Sequence, residues 1–268
     1  MISDNTLPIS DHKPLIYDGS GISIFTWNIQ NQKQYQEYNE NNPGDKSHET
    51  RYKLIAEKII FELKNIVFLQ EVDDVIDRNL VTGRDLLVDL LSKYYKLIID
   101  TPKNITKVND IETARGHYNC IFVKNNMDIF HFGDNPYVSN NHKNNLPIIH
   151  GTTEELLSDD QLNNTTRITS YHNFICHDEV LYINIHGTRE YYDLQDILDF
   201  IKSIKSFSYN NIIIAGDFNK KIYNIISFLN KKYGHAYSLE TNKGDHIMNL
   251  VGCRPKITDQ TKRNNFNK

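Results

Sequence analysis

The chain has 268 residues, of which 24% are charged and 39% hydrophobic, and a formal net charge of −4. That is long enough to bury a sizeable core without disulfide or metal staples, in one large domain or two smaller ones. No apolar run approaches the roughly 20 residues that cross a bilayer, Met1 to Gly19 lacks the basic start and apolar core of a secretory leader, and mild acidity argues against a protein that coats nucleic acid non-specifically. These features predict an intracellular, cytoplasmic protein with no membrane span. Cys120, Cys176 and Cys253 are widely spaced and read as reduced thiols without metal-ligand spacing. The chain holds 32 Asn and 34 Ile but only four Ala, the bias of an AT-rich genome, so a single Asn is weak evidence of anything.

In chain order, residues 1–20 read as a polar lead-in. Ile22 to Trp27 is a β-rich apolar run, a buried strand. Residues 31–50 are polar, contain Pro43-Gly44 and read as a surface loop. Apolar residues at helical spacing predict a helix from Arg51 to Lys64. Ile66 to Leu69 is a second buried strand, Leu86 to Leu91 a helix and Tyr95 to Ile99 a strand. Asn119 to Val123 and Ile129 to Phe132 read as neighbouring strands across a turn at Asn125-Asn126, and residues 134–166 as loop. Arg167 to Cys176 and Val180 to Ile185 read as paired strands. Tyr191 to Ile204 has the pattern of an amphipathic helix. Ile212 to Ala215 is a buried strand, Ile222 to Leu229 a short helix and Met248 to Val251 a last strand. Strands alternating with helices in places, and joined by hairpin-sized turns elsewhere, predict mixed sheets with helices outside. The predicted organisation is a lead-in (1–20), a single domain (21–255) and a polar basic tail (256–268).

Four apolar runs end in polar residues of one kind. Ile22 to Trp27 ends at Asn28, and Ile66 to Leu69 at Gln70-Glu71. Tyr182 to Ile185 ends at His186, and Ile212 to Ala215 at Gly216-Asp217-Phe218-Asn219. Carboxylates, an imidazole and amides at the C-terminal ends of buried strands are where α/β enzymes gather reacting groups. Taken singly, each has a plainer reading: Asn28 as a turn former, His186 as a satisfied core histidine, Gly216-Asp217 as a turn, Glu71 as part of a solvated acidic loop.

Taken together and in this order, Thr26-Trp27-Asn28, Phe68-Leu69-Gln70-Glu71-Val72, Asn184-Ile185-His186 and Gly216-Asp217-Phe218-Asn219 resemble the endonuclease/exonuclease/phosphatase superfamily, the deoxyribonuclease I-like proteins. The resemblance spans about residues 20–250. It implies an α/β fold, a four-layer α/β sandwich of two packed mixed β-sheets flanked by helices. It also implies a divalent-metal-dependent phosphoesterase using Mg²⁺ or Mn²⁺. Phosphate-ester hydrolysis needs a cation to polarise the phosphoryl oxygen, a base for the attacking water and stabilisation of the developing charge. By the resemblance, Glu71 is the principal metal ligand, and Asn28 is a second ligand or orients one. Asp217 aligns or deprotonates the water, with Asn219 holding a phosphate oxygen or the nucleophile. His186 donates to a non-bridging oxygen. Asn119 and Arg167 are substrate-binding candidates, with Arg115 and Arg189 as further phosphate contacts on weaker grounds.

The chain departs from the family pattern in two places. Gly187-Thr188 follows His186 where the family usually has Leu. The family also carries two late motifs, a strand like Asp-His-Ile and a final Ser-Asp-His, and Gly244-Asp245-His246-Ile247 fits either. The final motif is favoured, which makes Asp245 and His246 catalytic and Ile247 to Val251 the closing strand. In the other register Thr258-Asp259-Gln260 stands where the final motif belongs, with Gln in place of His. The predicted partner is a nucleic acid or a phosphorylated small molecule, acted on by a monomer. The activities left open are a nuclease or nucleotide phosphodiesterase, a phosphatase or phosphodiesterase on inositol phosphates or phospholipids, and a catalytically silent binding domain.

Overall fold

The structure, a computed structural model, describes residues 9–19, 22–31, 35, 47–73, 81–108, 111–131, 148–152, 173–177, 180–186, 211–219, 237–242 and 245–251. Twelve strands and two helices are described: β1 (Leu15–Asp18), β2 (Ser23–Asn28), α1 (His48–Glu62), β3 (Ile66–Asp73), α2 (Gly83–Leu91), β4 (Tyr95–Val108), β5 (Ile111–Lys124), β6 (Ile129–His131), β7 (Ile148–Thr152), β8 (Asn173–His177), β9 (Val180–His186), β10 (Asn211–Asp217), β11 (Tyr237–Asn242) and β12 (Asp245–Val251). They form a five-stranded sheet in the order β1-β2-β3-β5-β4 and a seven-stranded sheet in the order β11-β12-β10-β9-β8-β7-β6. Both are mixed. The pairs β2–β3 and β9–β10 run parallel, and β10–β12 runs antiparallel.

Side-chain alternation along the strands builds two cores. On one face of the first sheet, Phe25, Trp27, Val67, Leu69, Cys120 and Phe122 pack against Tyr52, Ile55 and Ile59 of α1 and Leu87 and Leu91 of α2. On its other face, Ile24, Ile66, Phe68, Ile121 and Val123 meet Ile175, Tyr182, Ile213, Ala215 and Ile247 of the second sheet. The sheets therefore pack face to face with helices outside the first, which are three of the four layers of the sequence reading. The helices read at 191–204 and 222–229 lie outside the described residues. Helix α1 starts where the Ser47 hydroxyl accepts the Thr50 N–H, and α2 where Thr82 and Asp85 close a reciprocal capping box.

Several elements differ from the sequence reading. Leu15–Asp18, read as lead-in, pairs antiparallel with β2, so the sheet begins there. β5 and β6 are not neighbours: β5 lies between β3 and β4 in the first sheet, while β6 edges the second. The turn in which Met127 N–H bonds the Lys124 carbonyl carries the chain from one sheet to the other. β7 falls inside the stretch read as loop, and β11 was not marked by any apolar run. Among the described residues no helix is long and apolar enough to cross a membrane.

Candidate active site

Along the inter-sheet face, composition changes in layers. Ile24, Phe68, Ile121, Tyr182 and Ile213 are apolar. Two residues further along their strands come Thr26, Gln70, Asn119, Asn184 and Ala215. Two further again come Asn28, His117, His186 and Asp217. The middle layer is a buried amide network. Gln70 Nε2 donates to Asn184 Oδ1 (2.7 Å) and Thr26 Oγ1 (3.2 Å), Asn184 Nδ2 to the Cys120 carbonyl (3.2 Å), and Asn173 Nδ2 to the Asn119 carbonyl (3.0 Å). Most buried amide groups are hydrogen-bonded, and these bonds tie one sheet to the other directly beneath the ionisable layer.

Glu71 reaches that layer through a β-bulge. Leu69 pairs with Cys120 and Val72 with Tyr118, so Gln70 and Glu71 together oppose Asn119. Glu71 has φ 58°, the left-handed region that a non-glycine residue adopts at a cost of order 1–3 kcal/mol. The extra residue keeps Leu69 and Val72 on the helix side while both polar residues stay off it. Bulges re-aim side chains in this way near active sites. Gly216, one residue before Asp217, is the second special position. Its φ is 139°, and a Cβ there would run into the Ile185 carbonyl oxygen.

The ionisable layer is tightly connected. Asn28 Nδ2 donates to Glu71 Oε1 (3.2 Å) and Asp217 Oδ2 (2.9 Å), while its Oδ1 accepts the Gln30 N–H (2.8 Å). Asn31 donates to Glu71 Oε2 from its backbone (3.1 Å) and side chain (2.9 Å). The Asn219 N–H holds Asp217 Oδ1 at 2.7 Å. His186 Nε2 lies 3.3 Å from Glu71 Oε1 and 3.8 Å from Asp217 Oδ2. The His117 and His186 rings are 5.5 Å apart. Glu71, His117 and His186 offer ligand atoms that all lie within 4.8 Å of one another, a donor set that fits a divalent cation.

The two carboxyls are driven in opposite directions. Burial pushes Glu71 up, but the His186 and His117 imidazoles and the Asn31 and Asn28 hydrogen bonds outweigh it, so its pKa falls below the usual value. Burial also raises Asp217; the Asn219 N–H, His12 and Asn28 pull back only in part, and the Glu71 charge adds to the rise. Environments that split two carboxyls assign one to stay ionised and the other to exchange a proton.

Behind the site sits a buried cation. Arg51, 1% exposed, donates through Nη2 to the carbonyls of Ile29 and Gln30 and through Nε to that of Ile9 (3.1 Å). Its Nη1 is 3.7 Å from Asp73 Oδ2, which also accepts the Tyr52 hydroxyl at 2.9 Å. Arg51 thus links the chain just after Asn28 to the chain just after Glu71.

Of the sequence-predicted site residues, the structure brings together Asn28, Glu71, His186 and Asp217, with the Asn219 backbone. Asn119 is fully buried opposite the bulge, its carbonyl bonded across the sheets. By backbone register Asp245 is the cross-strand partner of Asp217, and His246 that of Gly216. Arg115 lies on β5 opposite Asn104. Arg167, Arg189 and Gln260 lie outside the described residues. Sequence reasoning missed His117, Asn31, His12 and the amide layer. His117 alone carried a signal: it stands two and four positions before Asn119 and Ile121 on one strand face.

No family model matches the chain, and no curated protein sequence matches it. Solved structures do. An endonuclease/exonuclease/phosphatase protein from Bacteroides vulgatus superposes with a TM-score of 0.52 at 13% identity, over 85% of this chain and 87% of its own. A mannosyl-6-phosphatase from Bacteroides thetaiotaomicron gives 0.49 at 13% identity, covering 86% and 85%. The catalytic domain of human Nocturnin with bound sulfate gives 0.47 at 16% identity, covering 92% and 88%. The chain has the endonuclease/exonuclease/phosphatase fold.

Proposed function

We propose that the chain is a divalent-metal-dependent phosphoesterase that hydrolyses phosphodiester bonds of a nucleic acid or nucleotide. The observation that carries this reading is the pairing of Glu71 and Asp217, brought from opposite sheets onto one amide and pushed to opposite protonation behaviour. Glu71 would hold the cation, which by the family resemblance is Mg²⁺ or Mn²⁺ and which, when bound, would polarise the phosphoryl group. Asn31 orients the Glu71 carboxylate, and Asn28 is a second ligand or orients one. Asp217, raised and held by the Asn219 N–H, accepts the proton of the attacking water. The Asn219 side chain, Asp245 and His246 are proposed for contacts to the phosphate and the water, and Asn119, Arg115 and Arg167 for the substrate. The loops 31–50 and 134–166 are where substrate choice is proposed to lie.

The test is a metal-supplemented panel of single- and double-stranded DNA, RNA, cyclic dinucleotides, inositol phosphates and phospholipids. Turnover of a nucleic acid or nucleotide supports the proposal. Turnover confined to inositol phosphates or lipids redirects the substrate class. Absence of turnover across the panel, with a folded protein, contradicts the enzyme reading.

A further inference from the structure

We infer that His12, oriented by Asp11, is a further catalytic residue whose imidazole contacts the substrate phosphate beside Asp217. This role rests on the reading that Asp217 serves the attacking water, and it adds a group from the chain ahead of β1. β1 runs antiparallel to β2 with Leu15 opposite Thr26, so the residues before Leu15 are carried past Trp27 towards the strand end at Asn28. They are fastened there beyond the ladder. Ser10 Oγ donates to the Asn28 carbonyl (2.9 Å) and accepts the His12 N–H (3.1 Å). The Asp11 N–H donates to Gln30 Oε1 (3.3 Å), and Trp27 Nε1 to the His12 carbonyl (3.0 Å). Arg51 Nε donates to the Ile9 carbonyl. Asn28 in turn donates to Asp217 Oδ2 while its own Oδ1 accepts the Gln30 N–H. One strand end therefore fixes both the carboxyl and the segment that carries the histidine.

The side chains suit a contact to phosphate. Asp11 Oδ1 lies 3.4 Å from His12 Nε2, and a carboxylate on one ring nitrogen sets which way an imidazole faces. The His12 side chain is 14% exposed, against 2% for Asp217, so it stands at the rim, where a substrate reaches it. Burial raises the Asp217 carboxyl; among the groups that pull it back, His12 ranks after the Asn219 N–H and before the Asn28 amide. The imidazole is thus near enough to act on the carboxyl that serves the water. A donor held in place there stabilises the charge that develops on the phosphoryl oxygens. Residues 10–12 also read Ser-Asp-His, the order of the late motif, here ahead of the first strand; the role of His12 stands in either register of Asp245-His246.

The experiment compares metal-loaded wild type with His12→Ala and Asp11→Asn on a simple phosphodiester, with and without added imidazole, and titrates each with inorganic phosphate. The bonds that fasten this segment use the main chain of residues 11 and 12, so neither substitution removes them. His12→Ala is expected to lower kcat by about 100-fold or more with metal affinity unchanged, and added imidazole to restore part of the loss. Phosphate affinity is expected to fall by at least about tenfold. Asp11→Asn is expected to lower kcat by a smaller factor and to cost nothing further in the His12→Ala background, as for a residue that acts through the imidazole. Folded His12→Ala with turnover and phosphate affinity close to wild type overturns the role, as does a loss of turnover that imidazole does not relieve and that weaker metal binding accompanies. If His12→Ala does not fold, His12→Gln takes its place under the same outcomes. Wild-type hydrolysis that survives in His12→Ala removes this role and leaves the proposed function standing. Phosphate binding that depends on His12, in a protein that hydrolyses no phosphoester, keeps the contact and removes the enzyme reading.

Discussion

Glu71 and Asp217 share one amide: Asn28 Nδ2 lies 3.2 Å from the first carboxylate and 2.9 Å from the second, and the Gln30 N–H on its Oδ1 fixes which end of the amide faces them. Asn28 is therefore a clamp between two buried acids from different sheets. Its removal takes away the donor that Glu71 Oε1 and Asp217 Oδ2 share. Hydrogen bonds to charged groups are worth about 1.5–3 kcal/mol each. Asn28→Ala is expected to lower metal-free stability by about that amount and turnover by about 100-fold. Asn28→Asp, which adds a third carboxylate, is expected to be worse on both counts. Urea denaturation and steady-state kinetics check this; an Asn28→Asp variant as stable as Asn28→Ala would contradict the clamp.

The opposite pKa shifts give opposite pH dependences in the metal-free protein. The Glu71 pKa is lowered on folding, so its contribution is complete above its unfolded value, about 4.3, and is lost as pH falls through the lower folded value. The Asp217 pKa is raised on folding, so its burial carries no penalty below about 3.9. The penalty grows as pH rises from there through the folded value. Glu71→Gln is expected to lose stability at pH 7 and to converge on wild type in acid. Asp217→Asn is expected to be no less stable than wild type at pH 7. Equal destabilisation of both variants at pH 7 would contradict the split.

Arg51 contributes by position. Its guanidinium bonds three carbonyls and approaches Asp73, and no ammonium reproduces that fork. Arg51→Lys keeps a charge near Asp73 but gives up the fork to the carbonyls, and is expected to cost about 1.5–3 kcal/mol, the worth of one hydrogen bond to a charged group. The site should be impaired even at temperatures where the variant is folded, because the segment carrying Asn28 and Asn31 loses its anchor. Thermal denaturation alongside metal affinity reads the two effects separately; unchanged metal affinity in the folded variant would confine Arg51 to stability.

His246 separates the two registers of the late motif. With Asp245 paired to Asp217 along the backbone, His246→Ala is expected to lower turnover by about 10²–10⁴-fold, the range for a lost acid–base or positioning group. A loss under about threefold would assign Asp245-His246 to the structural strand.

Much of this arrangement was legible in the sequence because its central strands are buried on both faces and read as continuous apolar runs. Such runs announce β2, β3, β9 and β10, and the polar residues that follow them are Asn28, Gln70-Glu71, His186 and Asp217. What was not legible has specific causes. β1 and β11 are sheet edges, where no second neighbour demands an apolar run. β4 and β5 continue as paired strands through Thr101–Val108 and Ile111–Asn119, in a stretch whose sequence carries no continuous apolar run. That continuation hid His117, which lies just outside the strand predicted from Asn119 to Val123. The β5–β6 pairing failed because a short Asn-rich turn was read as joining neighbours when it crosses between sheets. The bulge at Gln70-Glu71 is invisible in composition, since a single extra residue in a strand leaves its apolar pattern intact on either side.

The most direct test of the account is hydrolysis of a simple phosphodiester by metal-loaded wild type, Glu71→Ala and Asp217→Ala. Removing the group that holds the cation or the one that serves the water is expected to lower turnover by at least about two orders of magnitude in each variant, with wild-type activity abolished by chelation and restored by divalent metal. Metal-independent turnover, or turnover equal to wild type in both variants, would contradict it.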